Sequence, residues 1–286
     1  MRLALGTVQF GLAYGIAGRG EIVPENEVRA ILEDAAKRGV HTLDTASAYG
    51  DIEQRLAKLS AGLPLGIVSK VPAIPDSLAP QQAVDFALRA ADLCFERLGS
   101  HLCGLMLHRG ADLMGERGDA LALALRTWCC DRGISFGASC YSPREAAELA
   151  ATHGITLTQL PGNALDQRVG CEVEGLTGVE VHLRSAFLQG LLLMPQQQAQ
   201  SKLPQAAEFL SKWHAACRAA DRSPLEMALS VVKSFSAVSA VVVGVDTLSQ
   251  WIEIAQAWDH ASPTEALDLR CFDPRIIDPR LWNSPV

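Results

Sequence analysis

Four titratable side chains, Asp44, Tyr49, Lys70 and His108, have the types and chain order that suit proton transfer. A phenol has an ordinary pKa of about 10 and gives up its proton poorly at neutral pH, but a nearby ammonium stabilises the phenolate and draws that value down. A carboxylate would hold the ammonium in place. The set therefore reads as Tyr49 acting as general acid, Lys70 as its electrostatic activator, Asp44 as the anchor of Lys70, and His108 as a hydrogen-bond donor that orients a carbonyl oxygen. Each residue type alone is commonly structural at a strand end. The complementarity of the four is what points to chemistry.

The elements that must position them alternate along the whole chain. Short β-branched or apolar runs predict eight strands, at 3–5, 41–43, 65–69, 104–107, 135–138, 156–160, 179–183 and 240–243. Between them, apolar residues recur at helical spacing, as in Val28, Ile31, Leu32 and Ala35, or Val84, Leu88, Ala91, Phe95 and Leu98. The strings SPRE from Ser142 and SPLE from Ser223 each place Ser at an N-cap, Pro at the first helical position and Glu at the third; TLSQ from Thr247 reads as a third capping box. Eight strands alternating with helices argue for a closed (β/α)8 TIM barrel, one α/β domain over 1–286, because an open doubly wound sheet of eight strands usually needs more chain. The string PQQQAQ at 195–200 reads as a polar loop between the seventh strand and its helix. The segment 259–286, with DPR at 273–275 and again at 278–280, reads as an ordered C-terminal extension over the barrel.

Composition narrows the function classes. The chain of 286 residues is 49% hydrophobic and 20% charged, as in an ordinary globular protein. No apolar run approaches the roughly 18–20 residues that span a bilayer, and the start MRLALGTVQFGLAYG lacks the order of a signal peptide, so the expected location is cytoplasmic. Acidic residues outnumber basic ones by 32 to 25 and no Lys/Arg cluster occurs, which argues against nucleic acid as a partner. The eight cysteines (94, 103, 129, 130, 140, 171, 217, 271) form no C-x-x-C and stand at no ligand spacing from a His pair, so they read as small buried apolar residues and no metal is expected. GLAYG at 11–15 is not the dinucleotide fingerprint, and neither a P-loop nor H-E-x-x-H is present. GISFG at 133–137 matches G-x-S-x-G, but Ser135 opens an expected strand instead of sitting on a strand-to-helix turn.

In a barrel the active site forms at the C-terminal strand ends. The polar residues there are Gly6, Thr7, Asp44, Tyr49, Lys70, His108, Ser139, Gln159, Arg184, Ser185 and Gly244. Together with these positions, LDTASAYG at 43–50, followed by SK at 69–70 and LH at 107–108, resembles the aldo/keto reductase superfamily. The similarity continues through GISFGAS (133–139), TQLPGNALDQR (158–168), RSAFLQGLLL (184–193) and VVVGVDTLSQ (241–250), and so covers nearly the whole chain.

That resemblance implies a monomer or simple homo-oligomer that binds an extended nicotinamide cofactor without a Rossmann domain. It would transfer hydride from the nicotinamide to the carbonyl of a small aldehyde or ketone. Tyr49 matches the family's proton donor, Lys70 and Asp44 its supporting pair, and His108 its substrate-orienting residue. Gly6, Thr7 and Asp44 also fall among the cofactor-binding positions. Ser139 and Gln159 fall where the family binds the nicotinamide carboxamide, although Cys140 stands in place of the usual Asn. Arg184, followed by Ser185, stands where many members stack a Tyr on the nicotinamide; a planar guanidinium can also stack, or can pair with a carboxylate at the rim. Leu188, Gln189 and Gly190 resemble the loop over the pyrophosphate. Gly244 precedes a helix whose capped N-terminus, with Thr247 and Gln250, could receive the adenosine-side phosphate. Glu253 matches the adenine-side carboxylate, with Ile254 replacing the usual Asn.

The basic clamp for a 2′-phosphate is missing and Asp246 adds negative charge, which on its own favours NADH. Members with the Gly form of the motif commonly use NADPH, so NADPH is placed first and NADH second. Gln9, Phe10, Tyr14 and the two DPR strings are the residues expected at the mouth, and VQFGLAYG resembles a branch associated with sugar-like substrates. The alternative reading is a cofactor-binding regulatory or redox-sensing member with little turnover.

Overall fold

Eight short apolar runs become strands because each can bury both faces, one toward the barrel axis and one under the helices. The computed structural model describes residues 1–13, 21–264 and 267–282; Tyr14 lies outside them. The strands are β1 (Arg2–Gly6), β2 (Thr42–Asp44), β3 (Gly66–Val71), β4 (Leu102–Leu107), β5 (Ser135–Ser139), β6 (Leu157–Pro161), β7 (Glu180–Arg184) and β8 (Ala240–Gly244), closed in that order into a parallel barrel. Closure is made by β1 against β8, in register from Arg2 opposite Ala240 to Gly6 opposite Gly244. Each observed strand overlaps the run expected from the sequence.

The helices that cover the barrel are α1 (Glu25–Lys37), α2 (Ile52–Leu59), α3 (Pro80–Leu98), α4 (Gly115–Cys130), α5 (Pro143–His153), α6 (Gln196–Lys202), α7 (Ala207–Ala219), α8 (Pro224–Lys233) and α9 (Leu248–His260). The stripe Val28, Ile31, Leu32 and Ala35 is fully buried, so the helical period of α1 selects the face that meets the strands. On α3 the same period holds except at Phe95, which is 36% exposed and stands edge-on to Trp128 of α4 with ring centroids 6.1 Å apart. No helix follows β6; that connection contains a short 3-10 turn at Arg168–Gly170.

Several local expectations change. Residues 196–202 are the helix α6 and not a loop: glutamine is a good helix former, Ala199 is buried, and Gln200 donates to Ser211 Oγ at 2.8 Å on α7. Ser223 and Glu226 form a reciprocal capping box, whereas at Thr247 only half of one forms. There the hydroxyl accepts from the Gln250 N–H, but the Gln250 side chain reaches one residue further back and accepts from the Asp246 N–H at 2.7 Å. Cys103, Cys130 and Cys171 are exposed, so only the other five cysteines behave as buried apolar residues. α9 runs through Asp259 and His260, so the chain leaves the helical layer at 261. Beyond it the Cys271 N–H donates to the Leu165 carbonyl at 2.8 Å and the Arg280 guanidinium lies 3.3 Å from the Tyr141 ring centroid. Among the described residues no helix is long and apolar enough to cross a membrane.

Candidate active site

The C-terminal ends of β2 and β3 bring a carboxylate and an ammonium together inside the barrel. Lys70 Nζ donates to Asp44 Oδ1 at 2.6 Å and to the Thr45 carbonyl at 3.0 Å, and the two side chains are 1% and 9% exposed. Gln159, midway along β6, donates its Nε2 to the same Asp44 oxygen at 2.7 Å. One carboxylate oxygen therefore ties three strands together. Burial lowers the proton affinity of Lys70, and the adjacent Asp44 opposes that effect.

Tyr49 sits on the β2–α2 connection, and three features hold it beside this pair. The Tyr49 N–H donates to the Ala46 carbonyl at 3.0 Å, and the Ser47 hydroxyl donates to the Lys70 carbonyl at 2.9 Å, tying the connection to the end of β3. Gly11 lets the helical turn Val8–Gly11 pass against the connection, since a Cβ there would come within 2.1 Å of the Tyr49 carbonyl oxygen. Tyr49 meets the His108 ring edge to face, with centroids 6.0 Å apart and planes at 84°. Burial, then the positive charge of Lys70, pushes the pKa of His108 down to about 4, so the imidazole is neutral at pH 7 and can donate a single N–H.

A cleft of about 570 Å³ opens beside this cluster. Asp44, Tyr49, Gln159 and Arg184 line its inner part; Gly6, Thr7, Ser185, Gln189 and Gly190 line its length; Gly244, Gln250 and Glu253 line the part over the end of β8. Lys70, His108, Ser139, Leu188 and Thr247 are not on the wall: Lys70 lies behind Asp44, Ser139 and Leu188 are buried, and Thr247 is the N-cap of α9. Residues that the strand-end reading passed over also form wall, namely Ala186, Phe187, Leu193, and Ser223 to Leu225 at the start of α8. Ser223 and Pro224 were recognisable only as a helix cap; nothing local indicated that the cap faces the cleft.

The loop after β7 is strained where it lines the cleft. Ser185, Leu188 and Gln189 all have positive φ, at 64°, 48° and 53°. Such conformations cost about 1–2 kcal/mol for each non-glycine residue and concentrate at ligand sites. Asn163 supports the loop by donating to the Ser185 carbonyl at 3.2 Å. Arg184 donates to the Cys140 carbonyl at 3.5 Å and its guanidinium lies 4.5 Å from the Tyr141 ring; no described carboxylate comes within ion-pair distance of it. The rim pairing with a carboxylate considered for Arg184 is thus not seen. Cys140 is wholly buried, and burial pushes its thiol up to about 12, so it offers no reactive thiolate.

The cleft has features that fit an extended polar ligand. Gln9 lies on Gly244, where a Cβ would come within 2.5 Å of Gln9 Oε1, and that oxygen is buried with no partner. With Gln159 Nε2 committed to Asp44, the Gln159 amide oxygen is the atom that can accept from a bound carboxamide. The residues present therefore fit a nicotinamide dinucleotide laid from Asp44 outward to α9.

No family model and no curated protein matches the sequence. Two solved structures share the fold. One, from Pseudomonas aeruginosa and described as a candidate aldo-keto reductase, is 19% identical with a TM-score of 0.63, covering 91% of this chain and 90% of that one. The other, an aldo-keto reductase from Bacillus halodurans in its holo form, is 20% identical with a TM-score of 0.69, covering 93% of this chain and 88% of that one. The chain thus has the closed eight-stranded barrel fold that these aldo-keto reductases share.

Proposed function

We propose that the protein is an aldo/keto reductase that reduces the carbonyl of a small aldehyde or ketone to an alcohol, with a nicotinamide dinucleotide as reductant. The observation that carries this reading is the Lys70–Asp44–Gln159 cluster at the inner end of the cleft, with Tyr49 and His108 in ring contact beside it. When bound, the cofactor supplies the hydride, which no side chain of the protein can provide.

Tyr49 donates the phenolic proton to the carbonyl oxygen as the bond order of that carbonyl falls. Lys70, held by Asp44, stabilises the phenolate left behind, which sets the direction of the proton transfer. Neutral His108 donates one ring N–H to the same oxygen and so orients the carbonyl. Asp44 and Gln159 keep Lys70 aimed from behind the wall. Gln159 Oε1 and Gln9 Oε1 accept hydrogen bonds from the ligand, and the backbone of the 185–190 loop closes over its middle.

The test is oxidation of reduced dinucleotide by the purified protein with a panel of aldehydes, ketones and aldoses. Replacing Tyr49 by Phe should lower kcat by about 10²–10⁴-fold while leaving cofactor affinity nearly unchanged. Cofactor binding without Tyr49-dependent turnover on any carbonyl would overturn the reductase reading and favour a regulatory one. Loss of binding together with turnover would make Tyr49 a structural residue.

A further inference from the structure

The cleft has two ends of different charge. At its inner end the reacting groups lie at Asp44 and Tyr49, so a dinucleotide placed with its nicotinamide there must put its adenosine at the outer end, against Gln250, Glu253 and the start of α9. A helix N-terminus is ordinarily an anion site because its first N–H groups point outward unpaired. Here three N–H groups at this terminus are already taken. The Leu248 N–H donates to Glu27 Oε1 at 2.7 Å, the Gln250 N–H to Thr247 Oγ1 at 3.1 Å, and the preceding Asp246 N–H to Gln250 Oε1 at 2.7 Å. The first of these acceptors is a carboxylate from α1, half-buried and 221 residues away in the chain.

Among the described residues that line the cleft, Arg184 is the sole Lys or Arg, and its contacts with Cys140 and Tyr141 place it at the inner end. At the outer end Glu253 stands on the wall. A phosphate there would meet the carboxylates of Asp246 and Glu253 on the wall and that of Glu27 at the helix terminus, whereas a ribose diol can donate to a carboxylate.

We propose that Glu27, with Glu253, makes the outer end of the cleft select an adenosine ribose with a free 2′-hydroxyl, so that the protein binds NADH in preference to NADPH. This rests on the proposed dinucleotide site and reverses the order in which the sequence alone places the two cofactors. Glu27, which is not itself on the cleft wall, places an internal anion at the terminus of the helix that borders the outer end.

The experiment is titration of the full-length protein with NADH and with NADPH by tryptophan fluorescence, at low and high salt. NADH should bind at least about tenfold more tightly, a difference of about 1.4 kcal/mol. The gap should narrow as salt rises, because repulsion between partly exposed charges is screened. Glu27→Gln keeps an acceptor for the Leu248 N–H but removes the charge; it should tighten NADPH severalfold and leave NADH nearly unchanged. Glu253→Gln leaves the helix cap intact and should narrow the gap as well. Equal or tighter NADPH binding by the unaltered protein, or a gap that neither variant moves, overturns the proposal. Failure to bind either dinucleotide would remove the cofactor site itself, and this inference with it.

Discussion

Replacing Lys70 by Met tests whether the Asp44–Lys70 pair is as dry as its burial implies. Methionine keeps roughly the length of the side chain and removes only the charge. Asp44, 9% exposed, would then keep one side-chain donor, Gln159 Nε2 at 2.7 Å. Leaving a buried carboxylate without its cation costs about 3–5 kcal/mol, a large share of the roughly 5–15 kcal/mol that holds a typical domain folded. Adding Asp44→Asn to Lys70→Met removes the stranded charge while preserving an acceptor for Gln159, and should recover most of the loss. A double-mutant cycle read from urea unfolding should therefore return a coupling of at least about 2 kcal/mol. If Lys70→Met lies within about 1 kcal/mol of the unaltered protein at pH 7, the pair is hydrated and the argument for a dry proton-transfer site fails.

Two further perturbations probe other parts of the site, beside the Tyr49 and Glu27 variants described above. His108 is held at about 4 in the folded chain against an ordinary 6.5, so the unfolded state takes up the proton first on acidification. Stability should be complete above pH 6.5 and be lost progressively down to about 4, by an amount on the order of 3 kcal/mol; His108→Asn should flatten that segment of the denaturant-midpoint profile. Gly244→Ala would put a Cβ within 2.5 Å of the Gln9 amide, which is flexible enough to swing into the cleft. Dinucleotide affinity should fall about tenfold with a change in stability below about 1 kcal/mol. An unchanged Kd would show that the ligand does not pass over the end of β8.

Local pattern carried much of the architecture. The apolar β-branched run Val241 to Val243 reads as a strand, and Val241 and Val243 are buried; the spacing of Val28, Ile31, Leu32 and Ala35 suits one helical face, and the Ser223 cap follows from hydrogen-bond chemistry within four residues. Strand ends also picked out Asp44, Lys70 and Gln159, because in a parallel barrel all such ends emerge on one side. Phe95 and the glutamines of α6 were misjudged for the complementary reason: exposure and helix formation there depend on Trp128 and Ser211, which belong to neighbouring helices.

From the sequence alone, then, came the periodicities, the strand ends and the residue types suited to proton transfer, all properties of a residue and its near neighbours in the chain. Only the closed barrel could decide which atoms meet. Gln159 reaches Asp44 across 115 residues and Glu27 reaches the start of α9 across 221, while Gln9 settles on Gly244 once β1 and β8 pair. Those contacts fix the groups at the two ends of the cleft. No local pattern encodes them, because they exist only after chain closure brings distant strands and helices side by side.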